Sequence, residues 1–202
     1  MRGKAMEKIC NKLQQKNIDL RTFDALEFFA RAGDWQTIKY ASQVKSLDAW
    51  EVDSRFENAL KQNLPNARIT IGDSFDLATR PKYHNLYDFI VIDNPQNVFG
   101  DKNQYCEHFD VLPLVKNLLR DNGVMIYNVN TAPFNYDDFP LWEERRNKFY
   151  NVDKTQYLTD QFIYEFYHNF WTKIGFKVEF QFKEQRNDEY LAYVVTSVRK
   201  VA

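Results

Sequence analysis

Tyr87-Asp-Phe-Ile-Val-Ile-Asp93 decides the fold. From Phe89 to Ile92 the residues are apolar without alternation, and the run stops at a carboxylate. A strand that alternates has one wet face; a strand with no alternation is covered on both. Covered strands belong to parallel sheets layered between helices. Upstream, Asp24-Ala-Leu-Glu-Phe-Phe-Ala30 is a second run of this kind, followed by the turn Gly33-Asp34 and a helix over 35–44. Leu47-Asp-Ala-Trp-Glu-Val52 is the next strand. Asp53-Ser54 then caps a helix over 55–62 that Pro65 stops. Arg68-Ile-Thr-Ile71 is a short strand closed by Gly72-Asp73-Ser74.

Downstream, a helix containing 108–119 leads to the stop signal Asn122-Gly123 and a fifth strand over 124–129. The rhythm then changes. A long helix over 155–174 ends at Gly175. Residues 176–182 and part of 190–198 alternate with period two across a polar connector at 183–189, which predicts an antiparallel hairpin. Met6, Ile9, Cys10 and Leu13 keep helical spacing, so a helix within 1–20 covers the rest. The expected architecture is one α/β domain over 1–202, a mostly parallel seven-stranded sheet with a C-terminal antiparallel hairpin and helices on both faces.

Residues 130–153 have no clean period and hold Pro133, Phe134, Tyr136, Phe139, Pro140, Trp142, Phe149 and Tyr150. Two dozen residues of loop in a compact domain mark a functional excursion or a hidden element. The segment reads equally as an aromatic insertion serving as a substrate lid or as a surface helix packing its rings on the core.

The chain has 202 residues, 27 basic and 28 acidic, for a net charge of −1. That balance does not favour a nucleic-acid partner, which usually draws a basic excess. Cys10 and Cys106 stand apart and form no metal or disulfide pattern. The opening residues lack an apolar core and no run reaches membrane-span length. The expected setting is cytoplasmic, with no membrane partner. Oligomeric state is not legible.

In open α/β sheets ligands bind beyond the carboxyl ends of the strands. Glu27, Glu51, Asp73 and Asp93 all lie at or near those ends. Carboxylates there suit a ribose diol and an exocyclic amine. The order of elements, from about Phe23 to Lys200, with Glu27-Phe-Phe-Ala-Arg-Ala-Gly33, Trp50-Glu-Val-Asp53, Gly72-Asp-Ser74 and the final Gly175-Phe176, resembles the Rossmann-like class I S-adenosylmethionine-dependent methyltransferases. The family's first loop alternates glycines, and Phe29 and Arg31 stand where two of them belong.

The resemblance implies S-adenosylmethionine as cofactor, bound by Glu27, Phe29, Arg31, Gly33, Glu51, Asp73, Ser74 and Asp93. Glu51 would hold the ribose hydroxyls, with Asp53 as an alternative or a cap, and Asp73 the adenine amine. Arg31 either closes the site or pairs with the cofactor's carboxylate. Asp93-Asn94-Pro95-Gln96 partly matches the loop that amino methyltransferases use. It makes Asp93 and Asn94 catalytic candidates, with His108 as a second base. No metal site is expected; His84 and His168 receive no role. The implied activity is methyl transfer to a small-molecule or biosynthetic-intermediate acceptor. The alternatives are a non-catalytic binding or assembly module of the same fold and a methyltransferase acting on a nucleic-acid amine.

Overall fold

Alternate residues of each central strand part to opposite faces, and both faces are buried. The computed structural model describes residues 3–132, 136–154, 156–186 and 190–201. Its helices and strands are α1 (Lys4–Gln15), β1 (Asp24–Phe28), β2 (Ser46–Glu51), α2 (Glu57–Asn63), β3 (Arg68–Ile71), α3 (Ser74–Thr79), β4 (Tyr87–Ile92), β5 (Val98–Phe99), β6 (Tyr105–Cys106), α4 (Val115–Leu118), β7 (Leu119–Asn130), α5 (Pro140–Tyr150), α6 (Asp160–Lys173), β8 (Phe176–Gln185) and β9 (Leu191–Lys200). Leu26, Phe28, Ile90 and Ile92 pack into one core with α3, α4 and α6. Ala25, Phe89 and Val91 pack into the other, which α1 closes with Met6, Ile9, Cys10 and Leu13.

Seven strands form one sheet in the order β3-β2-β1-β4-β7-β9-β8. β1 is parallel to β2 and β4, β2 to β3, and β4 to β7. β9 runs antiparallel between β7 and β8. This is the expected Rossmann-like class I methyltransferase topology. The order reverses between β1 and β4, which puts the topological switch point there.

Three local expectations are corrected. The helix over 35–44 is only a 3-10 turn at Thr37–Lys39, because Thr37 and Tyr40 turn inward onto Glu27 instead of continuing a spiral. The helix over 108–119 shrinks to a 3-10 turn at Leu112–Leu114 and the single turn of α4. Pro113 has no N–H to give, and Leu119 already pairs with Tyr87 in the sheet. Asn122-Gly123 lies inside β7 rather than ending a helix. A Cβ at Gly123 would stand 2.5 Å from Leu119 Cδ2 and 3.3 Å from the Asp88 carbonyl, so the glycine serves close strand approach. Residues 130–153 contain α5, with Trp142 and Tyr150 buried in the core. Pro133, Phe134, Thr155 and 187–189, named in the sequence reading, lie outside the described residues, as does Met1.

α5 is anchored by charge as well as by rings. Arg146 is buried, with Nη1 3.4 Å from Glu107 Oε1 and Nη2 donating to the Asn130 carbonyl at 2.6 Å. Trp142 Nε1 donates to the same Glu107 oxygen at 2.7 Å. Removing one member of a buried pair strands the other's charge. Arg146→Met is therefore expected to destabilise the protein by about 3–5 kcal/mol, measured by urea unfolding against wild type.

Candidate functional site

Glu27 and Phe28 on β1 pair with Val91 and Ile92 on β4, so the loops that follow both strands leave the sheet side by side. Between them lies a cavity of about 800 Å³. Its walls include Glu27, Phe29, Arg31, Gly33, Glu51, Asp73, Ser74, Asp93 and Asn94, which brings together every residue expected from the strand ends. Their roles toward a ligand are taken up below.

The loop after β1 keeps a glycine-like backbone without the glycines. Phe29 has φ 57° and Arg31 φ 49°, both left-handed. Such conformations cost a non-glycine residue about 1–3 kcal/mol and persist where the surroundings impose them. Here Glu51 does so: its Oε2 accepts the Arg31 N–H at 2.7 Å and its Oε1 the Asp53 N–H at 2.8 Å. Gly33, at φ 67°, is needed as glycine, since a Cβ would stand 2.7 Å from Leu64 Cδ1. Asp73 caps α3 through Oδ1, which accepts the Phe75 N–H at 2.8 Å.

At the other end the carboxylates are more deeply set. Glu27 is buried and takes the Tyr40 hydroxyl. Burial is the main cause that pushes its carboxyl up to about 8; Asp93 adds to the rise, and the bonds from Tyr40 and Thr37 oppose it. Burial likewise raises Asp93, against the pull of the Arg186 guanidinium. Asp93 Oδ1 accepts from Arg186 Nη1 at 3.0 Å and from Asn128 Nδ2 at 3.1 Å. Asn128 also fixes the next residue, since its Oδ1 accepts the Asn94 N–H and its Nδ2 donates to the Asn94 carbonyl, each at 3.0 Å.

His108 is the one catalytic candidate the fold does not bring to the cavity. It is fully buried, and its Nε2 shares a hydrogen with the Tyr167 hydroxyl at 2.6 Å. Burial first, then the Arg146 charge, pushes it down to about 3, so it is a neutral core residue rather than a base facing substrate.

Of the two readings of 130–153, the described residues give the helix packed on the core. None of the described part of that segment lines the cavity. The cover is the two-stranded hairpin of β5 and β6. Phe99 and Tyr105 on that hairpin meet Phe29 and Phe75, with Tyr105 stacked on Phe75 at a centroid distance of 3.5 Å. Sequence reading missed Phe75, Phe99 and Tyr105, together with Trp35, Gln36, Thr37 and Arg186, all of which line the cavity. Tyr105 fell in a stretch without period, and Arg186 in a connector read only as polar. Among the described residues no group of three or more His, Cys, Asp or Glu can hold a metal ion, and no helix is long and apolar enough to cross a membrane.

No family model matches the chain, and no curated protein matches it in sequence. Solved structures match the fold. TYW2 of M. jannaschii, in complex with AdoMet, is 16% identical at a TM-score of 0.53, covering 96% of this chain and 77% of its own. The YcgJ protein of Bacillus subtilis is 10% identical at 0.58, covering 98% and 99%. A provisionally named transferase of Pyrococcus horikoshii is 14% identical at 0.57; the match covers 96% of this chain but only 64% of that one. At these identities the likeness defines a fold, that of the Rossmann-like class I methyltransferases.

The raised carboxyl of Glu27 has a measurable consequence. An unfolded glutamate titrates near pH ~4.3, so the folded state holds this proton more tightly. Its contribution to stability is fully present below that value and is lost as pH rises through about 8. Glu27→Gln cannot lose a proton. Its urea midpoint relative to wild type is therefore expected to climb steadily from about pH 5 to about pH 8; a difference independent of pH would contradict the assignment.

Proposed function

We propose that this chain is an S-adenosylmethionine-dependent methyltransferase whose acceptor is a small molecule. The observation that carries the reading is one cavity at the switch point, walled by carboxylates from the ends of β2, β3 and β4. Glu51 and Asp73 fit a nucleoside in chemistry. Each Glu51 oxygen is held by one backbone N–H and keeps a lone pair for a ribose hydroxyl. The Asp73 side chain uses Oδ1 as a cap and accepts no other hydrogen bond from the described residues, which leaves Oδ2 for an amine. Gly33 lines the same wall.

When bound, the cofactor supplies an activated methyl group on a sulfonium. The protein's task is then geometry and one proton. Asp93 stands at the end of β4, and its raised affinity for a proton suits it to take one from a hydroxyl or ammonium acceptor. Asn128 holds the loop through Asn94, so the carboxylate and the following residues keep a fixed aim. The hairpin rings Phe99 and Tyr105 line the same space.

The acceptor class follows from the cover and the charge. A cavity roofed by a hairpin suits a small ligand better than a duplex or a folded RNA. Asp34 and Asp101 stand exposed on its wall beside Arg31, and the chain as a whole has no basic excess to draw phosphates.

Calorimetric titration with S-adenosylmethionine and S-adenosylhomocysteine tests the reading. Micromolar binding is expected, weakened at least about tenfold (about 1.4 kcal/mol) by Glu51→Gln or Asp73→Asn. Absence of binding to either ligand would leave a methyltransferase fold without the activity.

A further inference from the structure

The hairpin that covers the cavity has an unusual base. The segment runs from Asn97, just before β5, to Glu107, just after β6. Both residues are left-handed, at φ 85° and 44°. Asparagine tolerates that region because its short side chain bonds locally, and Asn97 Oδ1 accepts the Val98 N–H at 2.6 Å. Glutamate has no such aid, so its conformation is imposed by its surroundings. The backbone bond that closes the base, from the Glu107 N–H to the Asn97 carbonyl, is 3.2 Å, at the long end of the usual range.

Polar atoms without partners gather at the same base. Gln96, one residue before Asn97, buries both of its amide atoms, and Glu107 buries Oε2. Asn94 Oδ1 and Asn130 Nδ2 are buried as well. None of these five atoms has a hydrogen-bond partner among the described residues. Asn130 joins the base through Arg146, which donates to its carbonyl and meets Glu107 Oε1. Such atoms cost free energy that hydration would return. The two ends of the hairpin are held differently. At the base, Trp142 and Arg146 fix Glu107 inside the protein. Towards the tip, residues 101–104 are exposed. The ties there are Tyr105 stacked on Phe75 and solvent-facing bonds from Arg145 Nη1 to the Asn103 and Gln104 carbonyls.

We propose that this hairpin is a hinged lid, which pivots at Asn97 and Glu107, rests closed over the cavity and opens as a body. α5 holds the pivot, and the exposed tip travels. Opening parts Tyr105 from Phe75 and Phe99 from Phe29, and it admits water to Gln96, Asn94, Asn130 and the second Glu107 oxygen. Closing restores the ring contacts. The gains on the two sides oppose one another, which keeps both states accessible. The lid follows from its hinge and serves whatever the cavity binds, so it does not rest on the methyltransferase reading above.

The two cysteines of the chain report the motion without any substitution. Cys106 lies on the lid and Cys10 on α1, and both are buried and free. The test is alkylation of the full chain by N-ethylmaleimide, with each site followed by peptide mass spectrometry. Cys106 is expected to react at least about tenfold faster than Cys10, at a rate that barely changes with urea below the unfolding transition, because a local opening exposes little surface. Equal rates with equal urea dependence would show both thiols waiting for global unfolding, and would overturn the lid. Three variants sharpen the comparison. Leu13→Ala, which loosens the α1 core, is expected to speed Cys10 at least about tenfold and leave Cys106 unchanged; a Cys106 rate that rises in step overturns the lid. Gln96→Met removes the unpartnered amide at similar length and is expected to slow Cys106 at least about tenfold. Arg145→Met frees the tip and is expected to speed Cys106. A Cys106 rate that either of these last two leaves unchanged overturns the hinge assigned here. The wild-type comparison decides even where a variant fails to fold.

Discussion

β1 and β4 lie side by side at the centre of a sheet buried on both faces, and the chain leaves them in opposite directions. From β1 it moves outward through β2 to β3; from β4 it moves the other way to β7. The loops that follow two such strands diverge, so a gap at their carboxyl ends is a geometric necessity. A slip by one residue would send every side chain of a strand into the opposite core, so the packing of the two cores fixes the register. With Glu27 opposite Val91 and Phe28 opposite Ile92, the acid of β1 and the acid after β4 are forced toward the same space. Each group that lines the cavity is placed with respect to that pairing.

The turn after β1 shows how a backbone shape can outlast the residue type that usually makes it. Left-handed geometry at Phe29 and Arg31 opposes ordinary L-residue preference. It is offset by a charge-assisted bond from the Arg31 N–H to Glu51, a residue of the neighbouring strand. The same carboxylate thus shapes the loop and faces the cavity. The exchange changes the wall as well. Where a glycine would present bare backbone, Phe29 presents a ring, and that ring packs edge-on to Phe99 of the covering hairpin.

The parallel sheet was legible because two-faced burial writes itself into each strand: Phe89 to Ile92 has no polar interruption, and the final hairpin alternates. The strand-end acids were legible for a related reason, since position along a strand fixes position in space. Helices read less well. Residues 35–44 and 108–119 have the composition of helices, yet Tyr40 is drawn to buried Glu27 and His108 to Tyr167. Those are long-range contacts that no local window contains. Arg186 stands 93 residues from Asp93, and nothing in its own stretch of sequence announces the partner. Tyr105 was hidden for another reason: strands of two residues are too short to show a period.

The segment carrying α5 bears on the site although none of its described residues lines the cavity. Arg145 reaches across to the hairpin, donating from Nη1 to the Gln104 carbonyl at 2.6 Å and from Nη2 to Asp110 at 2.7 and 2.8 Å. Asp110 in turn accepts the Cys106 N–H at 2.8 Å. Arg146 and Trp142 hold Glu107, the next residue along. The short strand that presents Tyr105 is therefore gripped on its outer side by charged and buried bonds from α5, and on its inner side by Phe75. A two-stranded ribbon this short has little stability alone, so its position over the cavity is set by these anchors rather than by its own ladder. The aromatic wall is consequently in place before any ligand arrives, and little ordering of the cover remains to be done on binding.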